Sequence, residues 1–235
     1  MVNINKEAHV HDIFENISEK YDMMNNIISL FQHKSWRRNV IKKMGIDKGS
    51  IVIDLCCGTG EWTLDLARKV GPDGTVYGMD FSKCMLNRAR EKLVFSGLNQ
   101  VKLLDGNIKS LPFAESYFDY AILGFGLRNV SGTTDALAEI HRVLKPGGKL
   151  ACLETSRPSS PLFRYLFFLY MRYLIPFLGF VIVGRFKEYR WLQESTWKFP
   201  KKDELVGIFR KGGFGDITVT EFLYGVVTVY LMVKR

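Results

Sequence analysis

The sequence predicts an α/β fold on a mostly parallel sheet, and three observations carry that prediction. Apolar runs of strand length recur near residues 51–55, 75–80, 101–104, 119–124 and 148–154, separated by segments long enough for helices. The first run, Ile51-Val-Ile-Asp-Leu55, leads straight into the turn Cys56-Cys-Gly-Thr-Gly60, and a helical pattern follows at Trp62, Leu64, Leu66 and Ala67. Residues 216–223 and 226–233 read as strands around Tyr224-Gly225, so the chain closes on an antiparallel hairpin and the sheet has seven strands.

The glycine turn predicts a nucleoside site. Glycine allows close approach of the backbone to a ligand, and the helix N-terminus beyond it offers unpaired N–H groups at the carboxyl ends of the strands. A dinucleotide site calls for a third glycine and a pyrophosphate seat. Here the pattern is Gly58-x-Gly60-x-x-Thr63, and Glu61 would repel a pyrophosphate. A phosphate-free cofactor, S-adenosylmethionine, suits the turn better, because its sulfonium is positive and an acidic loop residue helps. In this reading Asp54 orients the loop or the amino group. Asp80, closing the second strand, accepts both ribose hydroxyls, and Asn107 with the Ile108 backbone reads the adenine edge. The ordered set predicts a Rossmann-like class I S-adenosylmethionine-dependent methyltransferase. The plainer reading is that Asp80 and Asn107 only cap helices.

A chain of 235 residues suits one domain. Its expected parts are an N-terminal helical arm (1–44), a cofactor-binding core (45–158), an apolar helical lid (159–200) and a C-terminal helix with hairpin (201–235). The net charge of +9 suits nucleic acid, an anionic membrane surface or an anionic substrate. No basic tract interleaved with aromatics stands out, so no nucleic-acid partner is expected. Cys56, Cys57, Cys84 and Cys152 form no CxxC pair, and His9, His11, His33 and His141 show no metal spacing with them. No metal and no disulfide framework is expected. The polar start Met1-Val-Asn-Ile-Asn-Lys-Glu7 is not the pattern of a signal peptide.

Within the arm, Phe14, Ile17, Tyr21, Met24, Ile28 and Phe31 recur at helical spacing, with a break expected at Asn25-Asn26. Residues 161–184 are dense in aromatic and aliphatic side chains. Arg164, Arg172 and Pro176 are expected to interrupt the run and to keep it from crossing a bilayer. Two readings stand: a helix pair covering the sheet, or a lid over a hydrophobic acceptor that rests on a membrane surface.

Seven motifs occur in order: Lys20-Tyr-Asp-Met-Met-Asn25, Gln32-His-Lys-x-Trp-Arg37, Asp54-Leu-Cys-Cys-Gly-Thr-Gly60, Leu111-Pro-Phe113, Gly124-Phe-Gly-Leu-Arg-Asn-Val130, Leu144-Lys-Pro-Gly-Gly148 and Leu192-Gln-Glu-Ser-Thr196. With them the whole chain closely resembles the ubiquinone/menaquinone biosynthesis C-methyltransferases, above all their demethylmenaquinone branch in Gram-positive bacteria. The resemblance implies C-methylation of a prenylated demethylmenaquinol with S-adenosylmethionine as donor, in the cytoplasm and at the inner face of the membrane. It implies cofactor positions at Thr59, Asp80, Asn107 and Ile108, with Gly124 beside them. Two departures stand out. Tyr224-Gly-Val-Val-Thr-Val-Tyr-Leu-Met232 replaces a Gly-Gly-Val-Ala-x-x-His-x-Gly pattern, and Glu61 replaces aspartate. A benzoquinol acceptor, an RNA or other small-molecule acceptor, and a non-catalytic scaffold remain as alternatives. The sequence leaves a homodimer open.

An aromatic ring carbon becomes nucleophilic once the adjacent hydroxyl is ionised, and a phenol resembling tyrosine has a pKa near 10. Arg128 is the expected phenolate stabiliser, and His33 or a water near Arg128 is the candidate base. Asn129 and Glu154, at strand ends, and Tyr21, on the arm, are candidate acceptor contacts. Each has a plainer reading: Arg128 paired to an acid, His33 as a capping residue, Tyr21 as part of the apolar stripe. His141 is expected to be structural.

Overall fold

The computed structural model describes residues 2–235, so Met1 of the polar start lies outside the described residues. Three helices open the chain: α1 (Val2–Ile17), α2 (Tyr21–Ile28) and α3 (Gln32–Met44). The break expected at Asn25-Asn26 falls instead at Ser29–Phe31, because Leu30 and Phe31 adopt left-handed backbone (φ 48° and 61°) and end α2 there. Asn25 and Asn26 stay inside the helix.

The sheet then builds as β1 (Ile51–Leu55), α4 (Glu61–Val70), β2 (Thr75–Asp80), α5 (Lys83–Ser96), β3 (Val101–Asp105), β4 (Phe118–Gly124), α6 (Thr133–Val143) and β5 (Leu144–Thr155). After a helical excursion, α10 (Lys202–Lys211), β6 (Phe214–Phe222) and β7 (Val227–Lys234) close the chain. The seven strands lie in the order β3-β2-β1-β4-β5-β7-β6, with β7 antiparallel to β5 and β6. The expected fold class is therefore the observed one. β1 sits between β2 and β4, which puts the reversal of strand order, and hence the crevice, at its carboxyl end. Lys145-Pro-Gly-Gly148 loops out near the start of β5, with Gly147 in left-handed backbone (φ 75°), where the register with β4 shifts between Phe118 and Tyr120.

The core lies on both faces of the sheet. On one side Phe118, Leu137, Ile140, Phe209 and Tyr230 are buried together; on the other, Trp36, Val40, Leu66, Val70 and Val229 are. The excursion consists of α7 (Pro161–Leu169), a five-residue π-helical turn (Tyr170–Leu174), α8 (Ile175–Val183) and α9 (Phe186–Lys198). Arg164, Arg172 and Pro176 do not interrupt it: Pro161–Val183 is one continuous helical run of 23 residues. The π-turn just before Pro176 absorbs the missing N–H that would otherwise break the helix. By length and composition this run is apolar enough to cross a membrane. Its inner side, however, packs into the protein through Phe167, Met171 and Ile175 against Ile13, Met24 and Tyr189. Gly179 lets the backbone of α8 meet the Tyr189 ring; a Cβ there would lie 2.3 Å from Tyr189 Cδ2.

Candidate active site

Two clefts meet at the carboxyl ends of β1 and β4. The smaller, about 800 Å³, is walled by Met79, Asp80, Phe81, Met85, Asn107 and Ile108 and roofed by Glu7, Val10 and Phe14 of α1. The larger, about 1050 Å³, is lined by His33, Arg128, Phe167, Tyr170, Met171 and Ile175 among others. Tyr21, Cys56, Gly58, Gly124 and Phe125 line both. Cys56 and Phe125 turn the chain sharply after β1 and β4, each with left-handed backbone (φ 56° and 59°), and so bring these residues to the shared wall. Such strain in residues with a Cβ is a mark of functional turns. Gly124 is small because Trp62 lies against it, 2.6 Å from where a Cβ would stand.

Asp80 is buried at the wall of the smaller cleft. Its carboxylate accepts the Gly58 N–H at 2.8 Å and the Ser82 N–H at 2.9 Å, which ties the glycine turn to the end of β2. Each oxygen keeps a second lone pair for a ligand. Burial pushes the carboxyl up to about 6. Asn107 is exposed and its Oδ1 accepts the Lys109 N–H at 2.9 Å in a local turn with no helix after it, so it is not the helix cap of the plainer reading, and its amide donors are what it can offer a base edge. The Ile108 side chain is buried beside it. A nucleoside fits these residues: a buried carboxylate for vicinal hydroxyls and an apolar slot between Met79, Met85 and Ile108.

Asp54 lines neither cleft. It is buried, accepts the Thr63 hydroxyl at 2.6 Å, and anchors α4 to β1. Burial, with the Asp80 charge adding to it, pushes its carboxyl up to about 7. Because its native pKa exceeds the unfolded one, the native state binds more protons, and stability falls as pH rises from about 4 to about 7. Asp54→Asn keeps the acceptor for Thr63 and removes that penalty. The variant is expected to gain stability relative to wild type on going from pH 5 to pH 8, by at most about 3 kcal/mol, two pKa units at about 1.36 kcal/mol each. Paired denaturant melts at the two pH values check it; an unchanged difference would refute it.

Gly60 also lines neither cleft; it caps α4 in left-handed backbone (φ 78°) and packs on Ala89. Thr59 lies on the larger cleft, away from Asp80, with its hydroxyl donated to Asp22 at 2.6 Å. Glu61 does not present a free charge. Lys92 holds it at 2.8 Å and Arg37 at 3.2 Å, while Lys92 also pairs with Asp22 at 2.6 Å. This ion network, unread in the sequence, straps α2 over the glycine turn.

Arg128 follows β4 in a 3₁₀ turn, Leu127–Asn129. Its guanidinium donates from Nη1 to Glu154 Oε2 at 2.7 Å and to the Phe125 carbonyl at 2.6 Å, and its backbone N–H donates to Glu154 Oε1 at 3.1 Å. Its partner is thus a buried acid, not the surface acid of the plainer reading. Its Nε is buried and has no partner among the described residues. Glu154 lines neither cleft and acts only through Arg128. Asn129 lines the smaller cleft, where its Oδ1 accepts the Trp191 indole N–H at 3.0 Å. His33 lines the larger cleft, its Nδ1 within 2.7 Å of the Ser29 hydroxyl. Burial and the nearby Arg37 charge hold the imidazole below its usual range, so it is neutral and able to accept a proton. His141 lies far from this site, packed edge-on against Phe214. Among the described residues no cluster of His, Cys, Asp or Glu could hold a metal ion.

Sheet order, glycine turn and paired clefts define a Rossmann-like α/β fold. A solved structure of a SAM dependent methyltransferase from Aquifex aeolicus has the same fold, with a TM-score of 0.62 at 22% identity, covering 85% of this chain and 89% of that one. Residues 2–234 match the model of the ubiE/COQ5 methyltransferase family, and the chain belongs to that family. It is 47% identical over 230 residues to the demethylmenaquinone methyltransferase of Geobacillus stearothermophilus, covering 98% of both chains. It is 48% identical over 229 residues to that of Bacillus cytotoxicus, covering 97% of both.

Proposed function

We propose that this protein methylates a ring carbon of demethylmenaquinol, with S-adenosylmethionine as donor, at the inner face of the cytoplasmic membrane, through a single domain composed of arm, core, lid and C-terminal hairpin. The observation that carries this reading is the pair of clefts sharing one wall. One is shaped for a nucleoside; the other is largely apolar, with two buried guanidinium groups at its wall, Arg37, paired with Glu61 and Asp65, and Arg128, paired with Glu154.

When bound, the donor supplies an electrophilic methyl group on a sulfonium. The chain's own residues do the rest. Asp80, Asn107 and Ile108 hold the nucleoside. Gly58, Gly124 and Tyr21 line the shared wall, where the ring carbon must face the methyl group. The Arg128 guanidinium, at the wall of the larger cleft, stabilises the phenolate oxygen. Neutral His33 accepts the hydroxyl proton, directly or through a water. Phe167, Tyr170, Met171 and Ile175 surround the start of the prenyl tail and exclude water, which strengthens the pairing at Arg128.

An oxidised ring carries no hydroxyl to ionise. Purified protein given labelled donor is therefore expected to methylate reduced demethylmenaquinone and to leave the oxidised form untouched, as followed by mass spectrometry. Equal transfer to both forms would refute the phenolate mechanism, and transfer to neither would refute the substrate assignment.

A further inference from the structure

The run Pro161–Val183 turns one side inward to the larger cleft and the opposite side to solvent. The outward side carries Leu162, Tyr165, Leu166, Tyr173, Phe177 and Phe180, each 52–70% exposed. These positions recur at three- and four-residue steps and so form one face. An apolar surface of this extent is unusual on a soluble domain.

Two turns beside the helix add to the same surface. Leu30 and Phe31, at the end of α2, have left-handed backbone (φ 48° and 61°) and side chains 77% and 61% exposed. Leu223 and Tyr224, before β7, repeat the pattern (φ 49° and 56°), with 47% and 78% exposure. Left-handed backbone strains any residue with a Cβ, and here it is accepted twice in succession at both turns to present apolar side chains to solvent. Both turns touch the helix. The Tyr170 hydroxyl donates to the Ile28 carbonyl at 2.7 Å, and the Tyr224 ring lies 5.1 Å from that of Phe163. Lys20 Nζ donates to the Ile182 carbonyl at 2.8 Å and fixes the other end.

The charge on this stretch has one sign. Residues 156–187 include Arg157, Arg164, Arg172, Arg185 and Lys187 and no Asp or Glu. A second copy docked face to face would bring these cations together. A crossing orientation would pull Phe167, Met171 and Ile175 out of the core and carry Arg164 and Arg172 into hydrocarbon. An anionic interface accepts apolar face and cations together, with the arginines reaching up to the headgroups.

We infer that this face docks on an anionic phospholipid bilayer, with the 161–183 helix lying in the plane of the interface and the turns at 30–31 and 223–224 entering beside it. The inference rests on the proposed function only for its purpose. The same helix faces lipid on one side and the acceptor cleft on the other, so a prenylated ring reaches Arg128 along it without leaving an apolar surface.

Co-sedimentation of the full-length protein with quinol-free vesicles tests this. Vesicles of phosphatidylcholine with phosphatidylglycerol should bind it about tenfold more tightly than phosphatidylcholine alone, with the preference lost in high salt. Phe177→Ser with Phe180→Ser should weaken binding at least about tenfold. Tyr224→Gly relieves strained backbone, so it should weaken vesicle binding while leaving Tm unchanged or higher, an outcome that loss of fold would not give. All three substitutions should leave methyl transfer to a short-tailed, water-soluble quinol within about twofold of wild type. Wild-type protein that ignores anionic vesicles, or variants that bind like wild type, would overturn the docking surface. So would a wild-type dimer in solution that the Phe177/Phe180 variant splits, since that assigns the face to a second copy. Vesicle binding without transfer to the soluble quinol would instead overturn the function and leave the docking surface standing.

Discussion

Arg128→Ala is expected to lower kcat by about 10²–10³, the usual cost of deleting one donor aimed at a developing oxyanion, while the Kd for S-adenosylmethionine stays within about twofold. The guanidinium sits in the larger cleft and is oriented by Glu154 and the Phe125 carbonyl. An acceptor oxygen facing the guanidinium would gain a charge-assisted bond. Removing Arg128 also strands the Glu154 carboxylate, 1% exposed, and breaking such a pair costs about 3–5 kcal/mol. Lost activity in the single variant could therefore come from lost stability. Arg128→Met combined with Glu154→Gln removes both charges at once and is expected to recover most of the Tm. If kcat stays low in the recovered double variant, the loss belongs to the chemistry. If kcat returns to within tenfold of wild type, Arg128 is only a structural cation.

The sequence made the sheet legible because its signals are local. Strand-length apolar runs, the glycine turn and the Tyr224-Gly225 reversal each report their own backbone, so every strand was located to within a few residues. Asp80 was legible for the same reason, as an acid at a strand end. What stayed hidden was long-range. Glu61 reads as a free acid, yet Lys92 and Arg37, 31 and 24 residues away, neutralise it. Glu154 reads as a strand-end acid facing a ligand, but it is spent on Arg128, 26 residues earlier. Asp54 and Gly60 belong to the right motif but serve the turn's own geometry. The 161–184 segment was misjudged at Pro176, because a π-turn that absorbs a proline has no composition of its own. Its sidedness was hidden too. Almost every residue in it is apolar, and periodicity cannot tell an inner from an outer face when both are greasy. The left-handed turns at 30–31 and 223–224 carry no glycine or asparagine at the strained positions, which are the usual markers.

Asp80 gives the second large effect, and its sign follows from its burial. In the free protein the carboxyl is pushed up to about 6, with Asp54 behind it at about 7. A cationic donor seated beside them favours the ionised forms, so binding expels protons that the free protein holds below those values. Affinity for S-adenosylmethionine is therefore expected to tighten as pH rises from about 5 to about 7, by up to about tenfold per unit for each group released, and to level off above that. S-adenosylhomocysteine lacks the sulfonium charge and should show a shallower rise. Asp80→Asn should weaken donor binding about 10²-fold at pH 8, the worth of one or two charge-assisted bonds to ribose hydroxyls, and should remove the limb near pH 6 while moving the Asp54 limb to lower pH, because the Asp80 charge helps hold that carboxyl up. The asparagine can accept only through one oxygen, so either Gly58 or Ser82 loses its partner and the glycine turn loosens as well. Calorimetric titration in buffers of different ionisation enthalpy reads both the affinity and the protons released. A flat profile for both ligands, or an Asp80→Asn variant within threefold of wild type, would place the nucleoside away from the end of β2.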